Sequence, residues 1–429
     1  MYEKTAGSVA TVLVAAVIGT FGTHGGAQAS GFLLPEASTA GIGTANAMVA
    51  NPTEVGAIPY NAAAMGFQDR SSLALGALMI GPSFSVTNAT GTHDSNGADW
   101  VGAPLLQAAI KLNDQWRVGV GLNAPYGLET RWAYGTFPAL SQSRTVPGLG
   151  TVPTGNHPTA SKLEILDLVP TAAYRVNDSL SLALGLDIYS AQTAQLDSNL
   201  GQMEGSGYGL GFNLGVMYRI NALSLGLTYR SAATLDIEGN YTPSNMALVA
   251  AGRLQQGQRA SVDLNLPWRL QLGARYAFTE TIAAEFDWSY TGWEEFDRLE
   301  ITGNRTGTLI FADTNAWSNS NAYRLGLTWQ VQPQTQLRVG YAYDETGQSD
   351  DHFSARVPDS DRQIFGIGIA QGLGNGFSVE ASYAYVLGDN RTFTAATPYT
   401  GGEVNGTSAL DGEYEMDANV IGIELVKTF

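Results

Sequence analysis

Not one of the 429 residues is cysteine. That excludes a disulfide framework and a thiolate metal site. Charge is scarce as well. Asp, Glu, Lys and Arg make up 14% of the chain, against about 25% in an ordinary soluble domain. After residue 29 there is no apolar run long enough for a transmembrane helix, which needs about 20 residues. Histidine occurs only four times. His24 lies in the leader, and His93, His157 and His352 fall in connecting stretches, where solvent-facing positions are expected. None sits in a strand beside a serine, so no nucleophile–base pair can be assembled and no catalytic residue is assigned. No His or carboxylate spacing suits a metal, and no cofactor is implied. The "GSGYGLG" run at 205–211 opens a strand and not a helix, so it is not a phosphate loop. Its alternate glycines are expected to thin an inner wall. The net charge of −17 excludes nucleic acid as a partner.

Glycine, by contrast, is abundant at 51 residues, and aromatics reach 10%. Lys4, the apolar stretch "SVATVLVAAVIGTFG" and the small-residue site "AQA" at 27–29 read as an export signal. The mature chain is expected to begin at Ser30, with residues 1–29 removed. A charge-poor, glycine- and aromatic-rich chain without helical spans fits a transmembrane β-barrel of the bacterial outer membrane.

Segments of about ten alternating residues separated by turns carry that architecture. Fourteen are legible, starting near Ser71, Ala103, Trp116, Leu163, Leu180, Gly207, Leu223, Arg259, Ile282, Asn321, Thr335, Arg362, Phe377 and Met416. Every second connection is very short: "NDQ" at 113–115, "VNDS" at 176–179, "INA" at 220–222, "TE" at 279–280, "QPQ" at 332–334 and "GNG" at 374–376. The others are long, up to the 127–162 stretch. This sorting is the outer-membrane asymmetry of periplasmic turns and extracellular loops. The acidic "EEFD" at 294–297 and "SDD" at 349–351 fall in the loops. They read as solvated surface, with divalent-cation bridging to anionic lipid or lipopolysaccharide as the sharper alternative.

Parity assigns the faces. Leu223, Leu225, Leu227 and Tyr229 oppose Ser224, Thr228 and Arg230; Phe286, Trp288 and Tyr290 oppose Glu285 and Asp287. An Arg or Lys facing lipid at mid-bilayer costs roughly 2–4 kcal/mol. Arg230, Arg269, Arg275, Arg324 and Arg338 should therefore face the lumen and pair with Glu285, Asp287, Glu380 or Glu424. Residues 30–66 do not alternate. Their small and apolar content, including Ile42, Met48 and Val49, reads as a packed plug. Fourteen strands enclose more space than their own side chains fill. The expected organisation is a hatch over 30–68 and a barrel over 69–429. The last strand, "NVIGIELVKTF", places Ile421, Ile423, Leu425 and Phe429 on one parity. Ending in Phe429, it resembles the signal read by the barrel assembly machinery.

The motifs "SGFLLPEAS…GIGTANA", "APYGLETRW", "LTYRSAATLDIEGNY", "LNLPWRLQLGARY", "NAYRLGLTW" and "VPDSDR" occur in that order. In these the chain resembles the FadL family of outer-membrane transporters for long-chain fatty acids and other hydrophobic compounds. The resemblance implies an all-β, fourteen-stranded antiparallel barrel plugged by a small N-terminal hatch. It also implies passive uptake of a hydrophobic small molecule, with lateral release into the membrane. Phe32 stands where the family sets an N-terminal aromatic against substrate, and Leu34 and Met65 are expected to join it in an apolar pocket. Met246, Leu248 and Val249, in "NMALVAAGRL", are the apolar helix expected at an outer groove. Asn123, Pro125, Tyr126 and Gly127 mark the expected kink and lateral opening in the third strand.

The chain departs from the family pattern twice. Ala62 stands where the hatch usually has proline, and the loop near 195–206 is short. The competing readings are a water-filled diffusion porin and a surface-binding structural barrel whose work sits in its loops.

Overall fold

The computed structural model describes residues 31–429 apart from 98, 99 and 306; the expected leader and Ser30 lie outside the described residues. Fourteen antiparallel strands close on themselves. They are β1 (Ser72–Asn88), β2 (Val101–Lys111), β3 (Trp116–Arg131), β4 (Pro158–Arg175), β5 (Leu180–Ser198) and β6 (Gly201–Ile220). Next come β7 (Leu223–Arg230, continued by Ala233–Pro243), β8 (Gln258–Leu266, continued by Trp268–Ala277) and β9 (Ile282–Gly292, continued by Arg298–Gly303). The circuit ends with β10 (Leu309–Thr314, continued by Ser320–Gln332), β11 (Thr335–Asp344), β12 (Arg362–Gly374), β13 (Phe377–Gly388) and β14 (Gly412–Thr428). Closure comes from β1 against β14, in register from Ser72↔Thr428 to Thr87↔Glu413.

The short connections turn tightly at one end, with Asn221 and Asn375 in the left-handed region at φ 52°. Leu182, Leu184, Leu186, Phe286, Ile367 and Ile423 are exposed outward. Glu285, Asp287, Arg324, Arg338 and Glu424 are buried inward. The period-two alternation thus separates an apolar outer wall from a polar lumen.

Two expected loops are strand instead. β5 and β6 run 19 and 20 residues and are joined only through 199–200, so the 195–206 stretch is a continuous hairpin. Its outer half stands beyond the lipid, so it alternates polar with buried residues and carries no apolar signal. The 127–162 connection is likewise shortened, because β3 runs to Arg131 and β4 starts at Pro158. A small hairpin, Ser143–Val146 with Gly150–Pro153, sits between them. Outside, Trp132, Phe137 and Leu140 pack with Phe353, Phe393 and Tyr414 as an apolar cap. His157, expected in solvent, is fully buried beneath this cap, its ring 5.4 Å from that of Phe137. Burial pushes its imidazole down to about 4.

Candidate functional site: the lumen, its N-terminal segment and the third strand

Residues 31–68 lie inside the barrel. They are short and turn-rich because Ala, Gly and Asn dominate them. Helix α1 (Thr39–Gly43) starts at Ser38, whose hydroxyl accepts from the Gly41 N–H at 3.0 Å. Ala45 and Asn46 both adopt positive φ. Asn46 donates to Glu36 at 3.0 Å, and Tyr60 donates to Asn46 at 2.7 Å. Ala62 opens a 3-10 helix, Ala62–Phe67, capped by Asn61, whose side chain accepts from Ala63. A proline is well suited to such a first position, but the Asn61 cap forms the turn without one. Asn61 also donates to the Val49 carbonyl at 2.8 Å and to Val216 of β6 at 3.0 Å.

The wall holds this segment through carboxylates. Asp287 accepts the N–H groups of Met48 and Val49 at 2.8 and 2.9 Å, and Glu285 accepts that of Ala50 at 2.6 Å. Glu424 accepts from Thr39 at 3.2 Å. Glu54 bonds Arg338 at 2.7 Å and lies 3.9 Å from Arg275.

All five expected arginines are on the lumen side, but several partners differ from expectation. Arg230 bonds Asp167 and Asp187, Arg324 lies 3.8 Å from Asp344, and Arg338 also takes Glu380 at 2.7 Å. Arg275 reaches Glu285 at 3.4 Å. Asp287 and Glu424 bond backbone because the N-terminal segment brings its own donors into the lumen.

Glycines let the segment approach. Gly226 and Gly273 face each other across β7 and β8, and Gly326, Gly340 and Gly366 line up across β10 to β12. A Cβ on Gly226 would lie 2.6 Å from the Val49 carbonyl carbon, and one on Gly326 would lie 2.9 Å from the Thr44 Cβ. The glycines of 205–209 do something else. They make room for the neighbouring backbone of β7 at Thr234, Asp236 and Glu238, not for the segment.

The third strand leaves its neighbour. Its ladder with β2 runs from Lys111↔Arg117 to Leu106↔Leu122 and stops there. Its ladder with β4 shifts register between Asn123 and Tyr126. Beyond Leu122 its edge is taken by the N-terminal segment. Leu34 N–H donates to the Pro125 carbonyl at 2.8 Å, Gly127 N–H donates to the Phe32 carbonyl at 3.0 Å, and Leu33 bridges Tyr126. Gly127 lies close to Leu34, where an added Cβ would be 3.1 Å from its Cδ1.

A cavity of about 340 Å³ lies beside this departure. Its walls are Leu33, Leu34, Ala103, Pro104, Ala124, Tyr126, Leu128, Ile364, Val386 and Val420. Glu36 and Arg362 also line it, as do Glu129, Lys162 and Glu164. Lys162 lies 3.4 Å from Glu129 and 3.0 Å from Glu164.

The expected ligand residues do not share this space. Leu34 lines it. Phe32 is buried next to it in a ring cluster, with centroids 5.0 Å from Trp293, 5.1 Å from Phe296 and 5.8 Å from Tyr126. Met65 is fully buried lower down, between the segment and the wall at Gly119. Helix α2 (Met246–Ala250) forms, capped by Asn245, with Met246 exposed and Leu248 buried. Its Met246, Leu248 and Val249 do not line the small outer cavity of about 70 Å³, whose apolar walls include Leu196, Met203, Tyr241, Leu254 and Phe311.

Sequence reasoning passed over Asp359 of "VPDSDR". Its carboxylate accepts from the Gly31 N–H at 2.8 Å and from the Thr346 hydroxyl, fastening the start of the described chain to an outer loop. Burial pushes Asp359 up, and pushes Asp361, which accepts from Tyr343 and Thr346, up to about 7.

A family model described as outer membrane protein transport protein (OMPP1/FadL/TodX) matches residues 22–429. A long-chain fatty acid transport protein of Escherichia coli O6:H1 is 26% identical, over 98% of this chain and 97% of its own length. The crystal structure of a Pseudomonas aeruginosa FadL homologue superposes with a TM-score of 0.80 at 18% identity, covering 93% of this chain and all of the other. The toluene transporter TbuX of Ralstonia pickettii gives a TM-score of 0.65 at 16% identity, covering 91% of this chain and 99% of its own.

Proposed function

The chain belongs to this family of outer-membrane transport proteins, and from that premise we propose that it carries hydrophobic small molecules passively through the outer membrane by a sideways route. The molecule is taken up in the apolar cavity beside Leu34 and Tyr126. It leaves between β2 and β3, where the ladder stops at Leu106↔Leu122, and enters the bilayer without crossing the polar periplasm. That missing ladder, beside an apolar cavity, is the observation that carries the reading. A volume of about 340 Å³ falls in the range of small-molecule sites, ~300–1,000 Å³. Residues 31–68 act as the hatch that closes the axial path, and Phe32 supports the cavity from its ring cluster.

The test replaces Pro125 and Gly127 with Val and Thr, extending a regular strand across the departure. Uptake of radiolabelled hexadecanoate and toluene by cells should fall several-fold while the barrel keeps its heat-modifiable mobility. Unchanged uptake by a correctly inserted variant sinks the lateral route. A large, steady single-channel conductance of the unaltered protein would favour the diffusion porin instead.

A further inference from the structure

The geometry points to a saccharide-docking cleft on the outside of the barrel, above the lipid, whose occupant is the uncharged part of the oligosaccharide of neighbouring lipopolysaccharide. The cleft is separate from the transport route proposed above.

Register builds this face. Residues directly opposite on adjacent strands share one side of the sheet. Where β5 to β8 rise past the lipid, Asp197, Gln202 and Thr242 stand in one row. Gln195, Glu204, Asn240 and Arg259 stand in the next, and Ser206 and Glu238 in a third. They line an open cleft of about 650 Å³. Lower on the same face of β6 the residues turn apolar and point at lipid, with Tyr208 71% and Leu210 73% exposed. Tyr208 thus sits where an aromatic girdle is expected.

Height narrows the occupant. Ser206 to Gln202 lie two to six residues beyond Tyr208, about 7–20 Å along the strand at ~3.4 Å per residue. With strands tilted ~35–45° they stand roughly 5–16 Å above it. The head-group layer is only about 5–7 Å deep. In the outer leaflet the molecules that fill the space above that layer are the sugars of lipopolysaccharide.

The chemistry of the cleft suits hydroxyls. Asp197 is 6% exposed; its Oδ2 accepts from Gln195 at 2.7 Å and Gln202 at 3.4 Å, while its Oδ1 is buried without a partner. A buried acceptor left without a donor is costly, and a ligand hydroxyl supplies the missing donor. The Asn240 amide and Thr242 hydroxyl make no side-chain hydrogen bond among the described residues. A sugar hydroxyl both donates and accepts, so it can serve carboxylate, amide and hydroxyl alike. Charge decides against phosphate. Asp197, Glu204 and Glu238 share one cation, Arg259, which already lies 3.0 Å from Glu238. Among the described residues no three acidic or histidine side chains are placed to hold a metal ion, so a cation bridge to phosphate is not built in. Gln192 lines both this cleft and the apolar cavity, which sets the docked sugar beside the departure of β3.

The experiment titrates the full protein, in phosphatidylcholine nanodiscs, with core oligosaccharide released from lipopolysaccharide by mild acid and then dephosphorylated. Saturation-transfer NMR should show saturable binding that survives EDTA and equals that of the phosphorylated form. Asn240→Leu combined with Thr242→Val removes two exposed polar groups and should weaken binding about tenfold or more, with unchanged heat-modifiable mobility. The same variant should co-purify with less lipopolysaccharide from cells, read by native mass spectrometry. No saturable binding by the unaltered protein overturns the assignment, whether or not the variant folds. Binding that needs phosphate or is lost in EDTA overturns it in favour of a cation bridge. Equal affinity for maltoheptaose overturns the choice of lipopolysaccharide, and a folded double variant that binds as before overturns the site.

Discussion

Adding one methyl group to the inner wall at Gly226 should loosen the N-terminal segment without breaking the barrel. In Gly226→Ala the new Cβ would lie 2.6 Å from the Val49 carbonyl carbon and 3.0 Å from the Ala50 Cα. Carbon pairs rest at ~3.5–4.0 Å, so the segment must move by about 1 Å. Overpacking of this kind costs roughly 1–3 kcal/mol. Movement at Val49 also strains the bonds that Met48, Val49 and Ala50 make to Asp287 and Glu285. Bonds to charged groups contribute about 1.5–3 kcal/mol each, so the bulkier Gly226→Val, which breaks all three, loses on the order of 5 kcal/mol or more. The barrel keeps its ladders, because Gly226 pairs through backbone with Met217 and Gly273. The assay is planar-bilayer conductance together with limited proteolysis of residues 31–68. Gly226→Ala should give intermittent openings and Gly226→Val a persistent pore, both with cleavage in the segment and unchanged heat-modifiable mobility. Gly102→Ala serves as the control, since its nearest neighbour would be the flexible Met79 sulfur at 3.3 Å. A Gly226→Val barrel that stays closed and protease-resistant refutes the argument that the inner glycines seat the segment.

Phe32→Ala should remove the central ring from between Trp293, Phe296 and Tyr126, at a cost of about 3–5 kcal/mol to the docking of the segment. Red-shifted tryptophan emission and faster proteolysis at the N-terminus check it, and an unchanged spectrum would count against the cluster as the anchor. The outer cap should weaken in acid. The folded-state pKa of His157 is held below its unfolded value, so the unfolded state binds more protons as pH falls from about 6.5 toward 4, and the stabilisation present above 6.5 is lost across that window. Amide protection in residues 132–141, measured against intrinsic exchange rates, should fall at pH 5 in the unaltered protein and much less in His157→Gln. Asp361 runs the other way. Its raised pKa means the folded state holds a proton longer, so its contribution declines as pH rises from about 4 to about 7. Protection near 357–361, measured against intrinsic exchange rates, should therefore be greater at pH 5 than at pH 8, and Asp361→Asn should flatten that difference.

The barrel was legible because lipid enforces alternation. Strands such as Leu223–Arg230 and Ile282–Gly292 cannot place Arg230 or Glu285 outward, so parity alone fixes both faces. Where lipid ends, the signal ends. Gln202, Glu204 and Ser206 are exposed while Met203 and Gly207 are buried, a strand whose outer face is wet and which therefore reads as a loop. Burial of His157 was equally hidden, since it depends on Phe137 from a distant turn and on nothing beside it in sequence. The lumen was half legible. The arginines declared their face, but their partners did not, because Glu54 and the Met48–Ala50 amides arrive from a segment with no periodicity of its own. The placement of Phe32, Leu34 and Met65 in three separate environments has the same origin.

Proline in the third strand follows from that same segment. A free strand edge is costly in lipid because its N–H and C=O groups have no water to turn to. Above Leu122, β3 has lost β2, and Leu34 and Gly127 supply two replacement bonds, one of them to the carbonyl of Pro125 itself. Pro125 has an acceptor to offer and no N–H to strand. Pro104 sits on the β2 side of the same departure, again without a donor. A residue that cannot complete a ladder therefore costs least where no ladder exists. The two prolines remove donors that would otherwise invite β2 and β3 to zip together, and on the lateral route proposed above that leaves the departure available to an apolar molecule.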